Sequence, residues 1–339
     1  MEGQSFLPKV SVIIPAWNSE NVLGECLDGL TRSTYALHEI IVVDDASTDK
    51  TLSVAETHAV NTIKLERHFG VNYCRNRGAA IASGDVFLFL DSDVVIQTDT
   101  VQRIIGHFSE DRVDAIVGFY STRHRHSNLS SQYKNLWIRY SYLKCGPAID
   151  WIFGAVAAIR REAVWKVRGF DKKIISDHGG DDLELGKRLT DSKHRILLNP
   201  GIEVEHLKRH TLISLLKNDF ARSQGFVQLA GSLGQVRTSL YKGFVNIYPG
   251  FVLSTLLSWP ILVSGVLGIW FHPLWWLSLF LAVIYVSLSI PFLRYFARYR
   301  GPVEAVNALG VMFVDHLVCA LGSAKGYLRS LRFHRDAAV

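Results

Sequence analysis

The first ninety residues alternate short apolar runs with segments of helical periodicity. Runs rich in β-branched and aromatic residues predict strands at 10–15, 40–43, 63–66 and 86–90. Apolar residues at helical spacing predict helices at 19–32, from about 49, and at 71–83. Strands that alternate with helices at this spacing form parallel β-α-β units. The pattern therefore predicts an α/β fold with a doubly wound sheet.

The alternation becomes less regular after residue 110. Short apolar runs predict later strands at 116–119, 155–159, 196–198 and 202–204. The spacing of Leu185 and Leu189 predicts a helix over 182–189. On this pattern the first domain extends over residues 1–207.

The last third of the chain is strongly apolar. Residues 243–293 contain no Asp, Glu, Lys or Arg, and one membrane-spanning helix needs about 20 apolar residues. The stretch predicts two spans, at about 249–271 and 274–293. A turn is expected at His272-Pro273, because proline disfavours helix at the residue before it.

Charged and aromatic residues at the ends of these spans predict their orientation. Trp270, Trp275 and Trp276 cluster at the expected turn, as interfacial tryptophans do. The outer flanks carry the basic residues Arg237, Lys242, Arg294, Arg298 and Arg300. Cytoplasmic loops are enriched in Lys and Arg, so this pattern predicts an inner (cytoplasmic) membrane protein whose first domain is cytoplasmic.

Two further segments are ambiguous. Residues 208–242 form a linker in which 211–233 is an amphipathic helix, lying either on the membrane surface or in a protein core. Residues 303–323 are apolar but include Asp315 and His316, so they either span the membrane or lie in its interface. We favour the interface, because a third span would export the basic residues that follow.

Composition and charge limit the class of protein. Residues 208–339 carry thirteen Lys or Arg and four Asp or Glu, whereas the preceding residues carry twenty-four and twenty-seven. An acidic first part joined to a basic, apolar second part indicates a domain with a membrane anchor, not a nucleic-acid-binding protein.

The four cysteines are scattered, and no secretory signal is evident at the N-terminus. Reduced thiols in a cytosolic compartment are therefore expected.

Acidic residues follow two of the predicted strands and precede a predicted helix. They are Asp44-Asp45, Asp91-Ser92-Asp93 and Asp181-Asp182. Ligands of α/β sheets bind at the carboxyl ends of the strands, and carboxylates gathered there repel one another unless a cation or donors compensate. A divalent metal that holds a diphosphate would compensate them. Taken singly, each pair could equally form a turn or cap a helix.

The turn after the first strand, Pro15-Ala16-Trp17-Asn18, is not a glycine-rich phosphate loop. Charge neutralisation of a bound nucleotide must then come from elsewhere, and Asp91-Ser92-Asp93 can hold Mg²⁺ together with substrate phosphates. The missing glycine loop also disfavours an alternative function, a nucleotidyltransferase that forms activated sugars. A non-catalytic membrane scaffold is a second alternative.

Five motifs occur in a fixed order. They are Pro15-x-x-Asn18, Val43-Asp44-Asp45-x-Ser47-x-Asp49-x-Thr51, Gly70-x-x-x-x-Arg75-Asn76-x-Gly78, Asp91-Ser92-Asp93, and Asp181-Asp182-x-Glu184-Leu185-x-x-Arg188-Leu189. Over about residues 10–206 they resemble the inverting glycosyltransferases of family 2, which have the GT-A fold. The family usually has glutamate at position 181, and the Gln-x-x-Arg-Trp motif of processive synthases is missing. The resemblance thus implies a non-processive enzyme.

The resemblance also implies a role for each motif. Asp182 would be the catalytic base that takes the proton from an acceptor hydroxyl. The metal, Mg²⁺ or Mn²⁺, would be bound by Asp93, Asp91 and His206. The nucleotide-sugar donor would be bound by Pro15, Asn18, Asp45, Arg75, Asp91 and Gly154. His206 could instead be a surface histidine, and Gly154 could serve packing. The predicted membrane region suggests a lipid- or polyprenyl-linked acceptor.

Overall fold

The computed structural model describes residues 7–110, 113–171, 181–232 and 247–336. These residues form two compact units. The first, called here the sheet unit, consists of the described residues up to 123 with 145–171 and 181–208. The second, called the helical unit, consists of 124–144 and the described residues from 209 onward.

Among the described residues, nine strands form one sheet at the core of the sheet unit. They are β1 (Val10–Ala16), β2 (Glu39–Asp44), β3 (Asn61–Lys64), β4 (Val86–Leu90), β5 (Val94–Ile96), β6 (Ala115–Tyr120), β7 (Ala148–Ile149), β8 (Val156–Arg160) and β9 (Ile196–His206). Their order is β3-β2-β1-β4-β8-β6-β9-β5, with β7 beside β9. β1 and β4 are buried along their whole length, as expected for strands covered on both faces.

The described helices are, in chain order, α1 (Leu23–Thr31), α2 (Thr51–Thr57), α3 (Val71–Ile81), α4 (Thr100–Glu110), α5 (Leu129–Leu143), α6 (Arg161–Lys166), α7 (Asp181–Asp191), α8 (Leu212–Ser232), α9 (Pro249–Leu267), α10 (Pro273–Arg300) and α11 (Pro302–Asp336). The helical unit contains α5 and α8 to α11, and the sheet unit contains the others.

The first half of the sheet follows the predicted parallel pattern. β1 pairs in parallel with both β2 and β4, and β2 pairs in parallel with β3. The predicted helices α1, α2 and α3 form the crossovers between these strands. This arrangement brings the carboxyl ends of β1, β2 and β4 to one edge of the sheet.

The second half of the sheet is mixed, which the apolar pattern did not reveal. β8 runs antiparallel between β4 and β6, and β5 runs antiparallel to β9. The two late strands predicted at 196–198 and 202–204 are one strand, β9, interrupted by the exposed Pro200-Gly201 pair. The pairing of β9 with β6 accordingly shifts register between Val117 and Phe119.

Large apolar and aromatic side chains hold the helical unit together. Its buried cluster includes Tyr133, Leu136, Trp137 and Tyr140 of α5, Leu215 of α8, Phe292 and Phe296 of α10, and Ala308 and Met312 of α11. α5 comes from the stretch that the sequence pattern assigns to the first domain, yet thirteen of its fifteen residues are buried and it belongs to the helical unit.

Three helices of this unit, α9, α10 and α11, are long and apolar enough to cross a membrane, on length and composition alone. The turn between α9 and α10 contains the predicted His272-Pro273 pair, and α10 begins at Pro273. α11 is one continuous helix that includes the ambiguous segment 303–323. α8 packs lengthwise against α11, since a Cβ at Gly322 or Gly326 would meet the α8 backbone.

Candidate catalytic site

The parallel register explains why the acidic motifs meet. Ala16, the last residue of β1, lies beside Asp44, and β4 ends next to β1 just before Asp91. The antiparallel partner β8 brings a further segment to the same edge, because Val156 pairs with Leu90. Gly154, two residues before Val156, therefore lies beside the end of β4.

The centre of the site is a buried arginine between two carboxylates. Arg75, on α3, is 3% exposed. Its Nη1 lies 2.9 Å from Asp182 Oδ1, and its Nη2 lies 3.1 Å from Asp91 Oδ1. The backbone N–H of Gly154 donates to the other oxygen of Asp182, Oδ2, over 2.8 Å. Both oxygens of Asp182 are thus held by donors, while about a quarter of its side chain (24%) stays exposed.

Gly154 is required by space as well as by its N–H group. A Cβ at this position would lie 2.0 Å from Arg75 Nη2 and 2.7 Å from Asp182 Oδ1. Since real Cβ atoms do not approach other atoms so closely, only glycine lets the backbone pass beside the ion pair. The close approach of Arg75 and Asp182 therefore explains why residue 154 is a glycine.

Asp91 and Asp93 differ in their charge environment. Burial raises the pKa of Asp91, and the negative charges of Asp93 and Asp182 raise it further against the opposing effect of Arg75. Burial acts in the same direction on Asp93. There, the hydrogen bond and charge of His206, with the charge of Lys208, hold the pKa below its usual value. Asp93 is therefore the more readily ionised of the two.

The β5–β9 pairing positions the histidine. Val94 lies opposite His206, and His206 Nε2 is 3.4 Å from Asp93 Oδ2. The imidazole stacks on the ring of Tyr120, with centroids 4.4 Å apart and an interplanar angle of 11°. Phe153 meets Tyr120 edge to face at 4.9 Å. Tyr120, itself held by Phe153, therefore fixes the orientation of this histidine.

The donor set of Asp93 and His206 suits a divalent metal. Carboxylate oxygen and imidazole nitrogen are both ligands of Mn²⁺, and Mg²⁺ accepts one or two carboxylates with substrate phosphates. In the part of the chain that the structure describes, no group of three His, Cys, Asp or Glu is close enough to hold an ion by itself. Asp91, the third predicted ligand, instead accepts a hydrogen bond from Arg75 Nη2 through its Oδ1.

Asp45 lies behind the turn that follows β3. Its Oδ1 accepts from the backbone N–H of Phe69 and its Oδ2 from that of Gly70, each over 2.8 Å. His68 Nδ1 is 3.0 Å from the same Oδ2, and only 4% of the Asp45 side chain is exposed. The thiol of Cys74, on α3, is hydrogen-bonded to Asp45 as well, so these donors occupy the acceptor positions of the carboxylate and hold it against this turn.

Pro15 and Asn18 lie on either side of the β1 turn. Pro15 is buried in β1 and paired with Val43. Asn18 is exposed, has a φ of 49°, and accepts from the backbone N–H of Thr48 over 2.9 Å through its side-chain oxygen. The two turns that follow β1 and β2 are therefore joined through Asn18.

The sequence interpretation did not single out several aromatic neighbours of these residues. Trp17 lies 4.5 Å from the His68 ring, centroid to centroid, and Tyr120 stacks on His206. Phe170 lies under Arg75, with its centroid 5.1 Å from the guanidinium carbon. Trp17 carried a signal, since it stands inside the first motif. Tyr120 and Phe170 gave none, because their partners are remote in sequence.

Comparison with known proteins gives two family matches within the first 211 residues. Residues 11–168 match the profile described as glycosyl transferase family 2, and residues 135–211 match one described as the N-terminal domain of galactosyltransferase. All five sequence motifs except the one that begins at Asp181 lie inside the first match.

Curated relatives carry transferase names. A validoxylamine A glucosyltransferase of Streptomyces hygroscopicus is 28% identical over 246 residues, which are 61% of this chain and 58% of that protein. A poly(ribitol-phosphate) beta-glucosyltransferase of Bacillus spizizenii is 36% identical over 118 residues, 32% of this chain and 19% of that protein. The chain therefore covers less than two thirds of the length of either relative.

Solved structures share the fold. A mannosyltransferase from Pyrobaculum calidifontis, solved with GDP-Man and Mn²⁺, superposes with a TM-score of 0.62 at 18% identity, covering 89% of this chain and 87% of that one. GalNAc-T7, solved with UDP, GalNAc and Mn²⁺, gives a TM-score of 0.50 at 19% identity, covering 68% of this chain and 52% of that one. With this mixed sheet and these matches, residues 11–168 form a glycosyl transferase family 2 domain and the chain has the GT-A fold.

Proposed function

We propose that the protein is a membrane-associated, inverting, non-processive glycosyltransferase that moves a sugar from a nucleotide-sugar donor to an acceptor hydroxyl or lipid phosphate. The proposal rests on one observation above all. Asp182 is partly exposed at the carboxyl edge of the sheet, and Arg75 and the Gly154 N–H hold its two oxygens in a fixed orientation.

This geometry supports Asp182 as the base. Arg75 Nη1 and the Gly154 N–H each take one lone pair, and a carboxylate has about four acceptor positions, so each oxygen can still accept a proton. In the proposed step the acceptor hydroxyl gives its proton to Asp182, and its oxygen attacks the anomeric carbon opposite the leaving nucleoside diphosphate. Such general base catalysis contributes about 10²–10⁴-fold.

Arg75 and the metal ligands support departure of the diphosphate. We propose that Asp93 and His206 hold Mg²⁺ or Mn²⁺, with Asp91 beside them, and that the ion neutralises charge on the leaving group when bound. The two solved structures of similar fold contain Mn²⁺, which favours the same ion class here. Arg75 adds a fixed positive charge that is already oriented by Asp91.

The turns after β1 and β2 support a nucleotide site. Asn18 joins these turns, and Asp45 organises the backbone of residues 68–70. Trp17, half exposed at 53%, lies over His68 at the open side. In the proposed complex the nucleobase lies against this aromatic pair, with Pro15 behind it.

The outer face of the helical unit supports contact with lipid. α11 turns Asp315 and His316 inward, where Tyr133 and Tyr285 bind them. Most of its exposed positions are apolar, among them Val303, Val306, Val314, Leu321, Leu328 and Leu331, although Asn307, Lys325 and Arg329 are exposed as well. Such an inside-out pattern suits a helix whose outer face meets hydrocarbon.

We propose that α9 and α10 cross the membrane and that α11 lies in its interface. The reason is α8, which packs lengthwise against α11 and carries Lys217, Asp219 and Arg222, too many charges for a place in hydrocarbon. An active unit tied to such an anchor suits a lipid- or polyprenyl-linked acceptor. It also suits a catalytic domain on the cytoplasmic side of the inner membrane.

Donor turnover tests the enzymatic proposal. The full chain, purified in detergent, is incubated with a panel of nucleotide sugars and Mn²⁺ or Mg²⁺, and released nucleotide is measured with and without lipid phosphate. Asp182→Asn should bind donor like the wild type and lose transfer by at least about 10²-fold. Asp191→Asn, at the other end of α7, is the matched control and should stay active. Equal activity of all three proteins would exclude Asp182 as the base.

Labelling tests the membrane arrangement. In a Cys145→Ser background, a cysteine at His272 should react only from the side opposite the N-terminus. A C-terminal tag should be accessible from the same side as the N-terminus if α11 is interfacial. A tag reached only from the opposite side would instead show that α11 crosses the membrane.

A further inference from the structure

The turn at 167–171, which follows α6, contacts both of the helices that carry Arg75 and Asp182. Arg168 and Gly169 have left-handed backbone conformations, with φ of 64° and 67°. A Cβ at Gly169 would lie 2.4 Å from Asn76 Oδ1, so this turn packs directly on α3. The same turn presents the Phe170 ring to Arg75.

Amide side chains of α3 hold one side of the turn. Asn76 donates through Nδ2 to the Phe170 carbonyl over 2.7 Å, and its Oδ1 accepts from the Phe170 N–H over 2.9 Å. One helical turn earlier, Asn72 Nδ2 donates to the Asp171 carbonyl over 3.1 Å. α3 therefore fixes two successive residues of the turn. It binds both the N–H and the carbonyl of Phe170, and the carbonyl of Asp171.

An arginine of α7 holds the other side. Arg188 donates to the carbonyls of Val167 and Gly169, the latter over 2.7 Å. The same guanidinium pairs with Glu184 one turn earlier on α7, with Nη2 2.6 Å from Oε2. α7 begins at Asp181, so the helix that is clamped to the turn is the helix that carries Asp182.

The Phe170 ring completes the connection. It is 2% exposed, and its centroid lies 5.1 Å from the guanidinium carbon of Arg75. Phe89 of β4 meets the same ring edge to face, also at 5.1 Å. A guanidinium over an aromatic face is attracted to it, more strongly where water is excluded. The ring therefore supports the guanidinium of Arg75, which also pairs with two carboxylates.

We infer that Asn76, Phe170 and Arg188 are positioning residues of the catalytic centre. They fix the 167–171 turn between α3 and α7, and the turn sets where Arg75 meets Asp182. None of the three is hydrogen-bonded to Asp182 in the described structure, so they act on it through the turn and Arg75. This inference rests on the proposed function, since its effect is measured as sugar transfer.

Two substitutions separate positioning from simple stability. Arg188→Lys keeps the charge beside Glu184 but loses the forked donation to two carbonyls. Phe170→Leu removes the aromatic face, whereas Phe170→Tyr keeps it. We expect Arg188→Lys and Phe170→Leu to lower kcat by about tenfold, since small misplacements of reacting groups are costly. The donor KM and melting temperature should change little, and Phe170→Tyr should restore kcat. Lys187→Gln, at an exposed ion pair of the same helix, is the control and should match the wild type.

A double-mutant cycle with Arg75→Gln gives the decisive readout. If Arg188 and Phe170 act through Arg75, their substitution should cost little further kcat once Arg75 is replaced. Arg75→Lys serves as the background if Arg75→Gln has no measurable turnover. Equal losses of kcat in both backgrounds would overturn the inference while leaving the transferase proposal intact. Absence of transfer by the wild-type protein would instead refute the proposed function.

Discussion

The Asp182 carboxylate accepts a hydrogen bond from the backbone N–H of Gly154, which lies 2.8 Å from Oδ2. This contact joins the start of α7 to the segment before β8. It also explains why Arg75 fits beside the backbone, since Gly154 presents no side chain to the ion pair. Asp182, the proposed base, and its arginine thus depend on a residue that has no side-chain functional group.

Gly154→Ala should therefore impair activity strongly. The added methyl would lie 2.0 Å from Arg75 Nη2, so Arg75 or the backbone must move by about 1 Å, a displacement that can cost about 10²-fold in rate. Transfer at saturating donor measures the loss. Gly146→Ala is the control, because a Cβ there has no atom within 4 Å. Normal activity of Gly154→Ala would show that the ion pair is not needed in its observed position.

The fold could be predicted where the apolar pattern was periodic and local. β1, β2 and β4 and the helices between them were predicted within about two residues at most ends, because buried parallel strands form continuous β-branched runs. The antiparallel insertion of β8 was not predictable, since strand direction depends on partners remote in sequence. α5 was not predicted although Leu129, Tyr133, Leu136, Trp137 and Tyr140 have helical spacing, because the polar residues between them interrupt the apolar pattern even though they are buried as well.

The charged residues of the site were predictable from the sequence, whereas the aromatic residues that contact them were not. Motif order pointed to Arg75, Asp91 and Asp182, and the structure brings these three side chains together. Nothing local in the sequence pointed to Tyr120 or Phe170. An aromatic residue at a strand end or in a turn usually packs in a core, and only the tertiary contact shows that Tyr120 lies against His206 and Phe170 against Arg75.

Tyr120 should influence metal affinity through His206. Residues that orient a metal ligand typically change affinity by about 10–100-fold when replaced. We expect Tyr120→Leu to weaken Mn²⁺ binding by about tenfold, and His206→Ala to weaken it at least as much. Tyr120→Phe keeps the stacked ring and should bind like the wild type. Calorimetry of Mn²⁺ binding in the presence of nucleoside diphosphate gives the values. Unchanged affinity in His206→Ala would remove His206 from the ligand set.

Glu39 should make the folding stability of the chain depend on pH in the acidic range. Burial alone would raise its pKa, but hydrogen bonds from Ser83 and Ser11 and the nearby His38 bring the pKa below its usual value. A carboxyl whose pKa is lower when folded stabilises the protein above its unfolded pKa, about 4.3. That contribution is lost as the pH falls through the folded pKa.

The corresponding measurement compares melting temperatures between pH 6 and pH 3.5. Glu39→Gln should be less stable than the wild type at pH 6, and the difference should shrink as the pH falls. Glu56→Gln removes the same charge from an exposed position of α2 and should show little difference at any pH. A Glu39→Gln deficit that stays constant with pH would contradict the expectation.

Substitution of different α11 glycines by alanine should have opposite effects on stability. A Cβ at Gly322 would lie 2.4 Å from the Phe220 carbonyl oxygen, and one at Gly326 would lie 2.3 Å from that of Gln224. Small residues four apart let helix backbones approach closely, so Gly322→Ala should loosen α8 from α11 and lower the melting temperature. Gly310 has no atom within 4 Å of such a Cβ. Gly310→Ala should be neutral or should stabilise by about 0.5–1 kcal/mol. Equal melting temperatures of Gly322→Ala and Gly310→Ala in detergent would refute the tight contact between α8 and α11.

The buried ion pair between Lys134 of α5 and Asp219 of α8 should show strong coupling. Each residue is 5% exposed, and both line a cavity of about 50 Å³ together with Asp315 of α11. Tyr133, the neighbour of Lys134, donates to Asp315 Oδ2 over 2.9 Å. Polar side chains of three helices therefore meet inside the helical unit, where a lone charge would be expensive to keep.

Removing one partner of this pair should cost far more than removing both. Lys134→Met leaves the Asp219 carboxylate buried without its cation, which typically destabilises by about 3–5 kcal/mol. Lys134→Met combined with Asp219→Leu replaces the pair by apolar side chains and should recover most of that loss. The free energy of unfolding of each variant in detergent, with Lys187→Gln as the exposed ion-pair control, gives the coupling. Additive losses in the double variant would mean that the two charges do not depend on each other, and that α5 and α8 are joined by their apolar contacts alone.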